Sequence, residues 1–139
     1  MTKKIKTIIT SILFFFFIQI NLSLAEKVSI IYVIENTPIT NVAINNEIKY
    51  LLLINEQLNA ISKKDMVQYA TKSILKEKIK ENELKKYYKF GKNNKIIDQN
   101  LKLLMKKLNI TDYNIFNNLI TEIGLSKEFI KKKLKLNFF

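Results

Sequence analysis

The chain has 139 residues, a formal charge of +12, and neither cysteine nor histidine. That is one domain's worth of material without a disulfide framework, and it lacks the commonest general base, the usual zinc ligands and every Ser-His or Cys-His catalytic pair. All of its basic residues are lysine, and with no arginine to grip phosphate or guanine edges bidentately, the charge reads as a basic solvated surface rather than a nucleic-acid footprint.

Lys3, Lys4 and Lys6 precede an apolar run from Ile8 to Ile20, which is followed by Ser23-Leu24-Ala25. Basic, apolar and small-residue regions in that order predict a secretory signal peptide over 1–25, cleaved after Ala25. The run is broken by Thr10, Ser11 and Gln19 and falls short of the roughly 20 apolar residues that a spanning helix needs, so no retained membrane anchor is expected. No cysteine stands beside the cleavage site to carry a lipid. Removing the leader takes away three lysines and leaves a single domain, 26–139, with 21 lysines against 12 acids, a formal charge of +9.

Val28 to Ile34 is dense in β-branched and aromatic residues and predicts one short, largely buried strand, closed by a turn at Glu35-Asn36-Thr37-Pro38. Ile39-Thr40-Asn41 supplies a polar cap for a first helix over about 41–59, with Ile44, Ile48, Leu51, Leu52 and Leu58 as its stripe. Ala43, Tyr50, Leu53 and Ile54 lie beside that stripe, so either both faces of the helix are covered or one is open to a partner. Ser62 and Asp65 form a variant capping box before a long helix through Met66, Val67, Ala70, Ile74, Leu75, Ile79 and Leu84, with Gly91 as its left-handed stop. Within it, Lys76–Lys86 reads as a solvated face of mixed charge, with Glu77, Glu81 and Lys85 spaced at i,i+4.

Asp98 reads as the cap of a third helix, 99–108, with Leu101, Leu104, Met105 and Leu108 on one side. Thr111 reads as the cap of a fourth, with Ile115, Phe116, Leu119, Ile120 and Ile123 apolar and Gly124 as its stop; Ser126 caps a fifth that carries Phe129, Ile130, Leu134 and Phe138. The connections are short. The fold predicted is therefore mainly α, a compact bundle of about five helices with one short N-terminal strand and turn.

The acids Asp65, Asp98, Asp112, Glu77 and Glu122 fall at helix starts or on charged faces, and the two glycines at helix ends. Neither pattern makes a catalytic centre, a phosphate loop or a calcium loop, and no cofactor or metal is expected. The residues that could offer an apolar contact surface are Tyr50, Leu53, Ile54, Tyr69, Met105, Phe129, Phe138 and Phe139.

Taken in order, several segments resemble the SurA-like N-terminal chaperone domain. Val33-Ile34-Glu35-Asn36-Thr37-Pro38-Ile39-Thr40 is similar to its strand, turn and Ile-Thr opening, although Pro38 stands where the family more often has a small or charged residue. Ile74-Leu75-Lys76-Glu77-Lys78-Ile79, Asn109-Ile110-Thr111 into Phe116, and Ile123-Gly124-Leu125-Ser126 with Phe129-Ile130 resemble its later steps, so the likeness spans about 28–139. The lysine and asparagine content is unusual for that family. The resemblance implies a holdase of the Gram-negative periplasm that binds unfolded outer-membrane and envelope polypeptides. Longer relatives carry parvulin-type prolyl isomerase domains after this one; with none in this sequence, isomerase activity is not expected. The family also has a C-terminal segment that returns to complete the core, whereas this sequence ends at Asn137-Phe138-Phe139. That leaves open a structural or assembly module, completed by a second copy or a missing C-terminal segment, or a truncated N-terminal part of such an isomerase.

Overall fold

The computed structural model describes residues 27–34, 36–87 and 94–136. The predicted leader, Gly91, Phe138 and Phe139 lie outside the described residues. β1 (Ile30–Ile34) and β2 (Thr37–Thr40) form an antiparallel hairpin that runs directly into α1 (Asn41–Ile54). A 3-10 turn (Glu56–Ala60), α2 (Lys63–Tyr87), α3 (Asn94–Lys107), α4 (Tyr113–Glu122) and α5 (Lys127–Leu136) follow. The mainly helical, five-helix architecture is as the sequence predicts.

At the N-terminus the structure corrects the prediction. There are two strands rather than one, and Pro38, expected in a turn, sits within β2 opposite Val33. A proline is tolerated in a strand that has a free edge, since it lacks only the N–H. The chain reverses at Asn36, whose φ is 62°, a left-handed conformation that asparagine accepts more readily than most residues. β1 is not buried: Ile30 and Val33 are 63% and 64% exposed, while Ile39 of β2 is 1% exposed. Only β2 lies against the helices. An unbroken apolar run suits a buried strand and an outer hairpin strand equally, so composition alone misassigns it.

Helix boundaries follow local hydrogen bonding. Thr40 Oγ1 accepts from Ala43 N at 3.1 Å and starts α1 as expected. That helix stops at Ile54, short of 59, because Asn55 turns extended and its side chain accepts from Gln57 N, opening the 3-10 turn. Ser62 accepts from Asp65 N and donates to the Asp65 carboxylate at 2.7 Å, the predicted cap of α2. α3 begins at Asn94, so Asp98 lies inside the helix instead of capping it; Ile97 continues the Leu101, Leu104, Leu108 stripe by one further turn. The cap of α4 is Asp112, not Thr111, because its carboxylate accepts from both Asn114 N at 2.6 Å and Ile115 N at 3.3 Å. Ser126 caps α5 through Phe129 N at 3.1 Å.

Two helices end alike. Gly124 at φ 72° donates to Thr121 O, and Leu125 to Ile120 O at 2.9 Å; Asn109 at φ 56° and Ile110 repeat the pattern after α3. Both are Schellman closures, in which a left-handed residue lets the last carbonyls find donors and drops the next apolar side chain onto the core.

The core has two parts that share α1. Ile39, Ile44, Leu51, Met66, Ala70 and Ile74 join β2, α1 and α2. Tyr50, Leu104, Met105, Phe116, Ile120, Leu125, Ile130 and Leu134 join α1 to α3, α4 and α5. Ile54 packs against both. The surplus apolar residues of α1 are thereby explained, since both of its faces are covered.

Replacing Gly124 by alanine places a Cβ in left-handed backbone, a strain of about 1–2 kcal/mol. The added carbon also meets Lys49 Nζ at 2.8 Å, but that flexible tip can swing aside. Urea unfolding should show Gly124→Ala less stable by about that strain, and Gly124→Asn nearer the wild type.

Candidate functional site

Where α1, α2 and α5 meet, the two core parts are joined by charge. Lys133 of α5, 6% exposed, sends its ammonium to the carboxylates of Glu47 on α1 and Glu77 on α2. Glu47, 1% exposed, also accepts from Ser73 Oγ at 2.7 Å. The ammonium lies 5.3 Å from the centre of the Tyr50 ring and 5.6 Å from that of Phe129, and those rings meet edge to face at 6.1 Å. Two carboxylates and two aromatic faces compensate the buried cation, and the Ser73 hydroxyl helps to satisfy Glu47. Alongside, Glu81 of α2 meets Lys85 at 2.9 Å, Lys132 of α5 at 3.6 Å and Lys78 at 3.8 Å. Partial burial opposes its charge, but the hydrogen bond from Lys85 and the charges of Lys132, Lys78 and Lys85 prevail, holding its carboxyl below the usual glutamate value. Glu77 and Glu81 therefore do not simply form a solvated face; both tie α2 to α5.

A cavity of about 330 Å³ opens beside this junction, floored by Ile39, Val42, Ala43, Ile74 and Phe129 and edged by Lys78 and Lys132. β2 of the hairpin lines it through Pro38, Ile39 and Thr40. Val28, just before β1, and Ile30, Ile31, Tyr32 and Val33 within it are all exposed, so the strand carries exposed apolar side chains along its length. Asn41, the first residue of α1, fixes the entry to this strand: its N–H donates to Ser29 O at 3.0 Å, its Oδ1 accepts from Ser29 N at 2.8 Å, and its Nδ2 donates to Lys27 O at 2.9 Å. The apolar surface is thus bolted to the helical body at both ends, through Asn41 before the strand and β2 after it.

The contact residues expected from sequence are not gathered into one surface. Tyr50 and Met105 are buried in the core, where each fills space between helices. Leu53 and Ile54 are half-buried against the same core. Phe129 lines the cavity, and among the described residues of the set only Tyr69, on α2, is exposed. The hairpin surface was missed because its residues read as a buried strand. Glu47 and Lys133 were missed too, yet each leaves a signal: a charge set within an apolar stripe, Ile44-Glu47-Leu51 on α1 and Ile130-Lys133-Leu134 on α5.

Among the described residues no helix is long and apolar enough to cross a membrane, and no cluster of acids could hold a metal ion. No protein-family model, curated protein or solved structure proved similar to this chain.

Removing the Lys133 ammonium strands two carboxylates in the interior, so Lys133→Ala should lower stability by about 3–5 kcal/mol in urea unfolding. A depressed carboxyl contributes stability at neutral pH that is lost as the pH falls from the usual glutamate range through its folded value. Stability measured on acidification through that window should therefore fall less steeply in Glu81→Gln than in the wild type.

Proposed function

We propose that the protein is a periplasmic holdase, binding unfolded outer-membrane and envelope polypeptides without catalysing a reaction. The observation that carries this reading is the exposed, uncharged apolar strand β1. Several large apolar side chains exposed together on a small protein call for an apolar partner, and a contact made through apolar surface alone suits clients that share no sequence. The basic, apolar and small-residue N-terminus supports export, where no ATP is present to drive release and binding has to be weak enough to reverse. The ordered resemblance to the SurA-like N-terminal domain points the same way.

Diluting a urea-unfolded outer-membrane protein into buffer with a near-stoichiometric amount of the purified protein should suppress light scattering. Unchanged scattering at several-fold excess contradicts the reading. The variant Ile30→Thr with Val33→Thr keeps β-branched side chains in exposed positions, so its stability should stay within about 0.5 kcal/mol of the wild type. Its ability to suppress scattering should fall several-fold.

A further inference from the structure

We propose that the free edge of β1 takes up an extended apolar segment of an unfolded polypeptide as a third strand, so that main-chain hydrogen bonds hold the client. This rests on the holding function above and specifies how the client is gripped.

Among the described residues the sheet has two strands, each with one unpaired edge, and a lone hairpin is marginal until another strand or a packed face supports it. The two edges differ. β2 contains Pro38, which has no N–H to offer a neighbour. From Val28 to Ile34, β1 has no charge, proline or glycine, so the side-chain devices that normally blunt an edge are missing. One irregularity is present, a bulge where the register passes from Ile30↔Thr40 to Tyr32↔Ile39; it twists the strand and divides the edge into two short stretches.

The direction of the main chain follows from Asn41. Ser29 turns both its N–H and its C=O inward to that residue, so by strand alternation Val28 and Ile30 turn theirs outward. Val33 faces Pro38, which has no N–H, so theirs is a non-hydrogen-bonded pair and Val33 turns its N–H and C=O to the outer edge as well. These groups sit on a strand already held extended, which lowers the ordering cost of adding a partner.

The contact's size and charge select the occupant. About five residues of β1 are available, against the roughly 20–30 a side of a stable interface, and the chain is strongly basic, so two copies repel as they approach. A second copy is therefore a poor occupant. An extended client segment with alternating apolar residues and no charge at its centre fits, and so short a ladder binds weakly and exchanges.

The test uses a ten-residue peptide with a central Val-Thr-Val-Thr-Val run between glutamates, N-methylated at alternate residues in one or the other register, and titrated against the purified protein. Strand addition uses one edge of the peptide, so methylation in one register should weaken binding about tenfold or more while the other leaves it within about twofold. Equal effects in both registers, or no binding of the unmodified peptide, overturn the strand pairing. If clients are still kept from aggregating, the holding function survives that result; if they are not, both fall. A dimer in sedimentation that is lost in Val33→Lys assigns the edge to a second copy and overturns the proposal as well.

Discussion

One ammonium group shared by carboxylates from two helices governs how this protein is put together. Lys133 carries α5 onto α1 through Glu47 and onto α2 through Glu77, at the seam between the two parts of the core. Burying three charged groups is costly, and an apolar replacement of all three could be as stable. What the arrangement supplies is register. A buried cation is satisfied only in the position where both carboxylates reach it, which adds a directional constraint to the apolar packing of Ile130 and Leu134. The same placement brings Phe129 beneath β2 and Lys132 beside Glu81, so the floor under the hairpin depends on it.

The hairpin depends on α1 in turn. Thr40 ends β2 and caps the helix, and Asn41 begins the helix while binding the approach to β1. Two adjacent residues therefore couple the apolar strand to the helix that both parts of the core share. The strand is thus exposed while its entry and its partner strand are both fastened to α1.

Much of this was legible in the sequence. The helices, the caps Thr40, Ser62 and Ser126, and the stop at Gly124 follow from local rules that tertiary packing did not override. Asp98 and Thr111 misled because a capping residue type is also an ordinary helix or loop residue, and only the hydrogen bonds distinguish the roles. The site was less legible. Tyr50 and Met105 look like candidate surface residues because periodicity separates one face of a helix from another without saying which face is covered. β1 looks buried because its composition is that of a core strand, and its exposure follows from β2 alone lying against α1 and α2. With no similar protein found, support for a holding role comes from that exposed strand and from the ordered sequence resemblance.

Tyr32 and Tyr69 allow a direct comparison, being 51% and 49% exposed, one on the hairpin and one on α2. A photo-crosslinking amino acid placed at each position in turn, followed by illumination with a urea-unfolded outer-membrane protein just diluted into buffer, reports where the client lies. Strong cross-linking from position 32 and little from position 69 is the result predicted for a hairpin contact surface. Equal yields, or a larger yield from position 69, would contradict it.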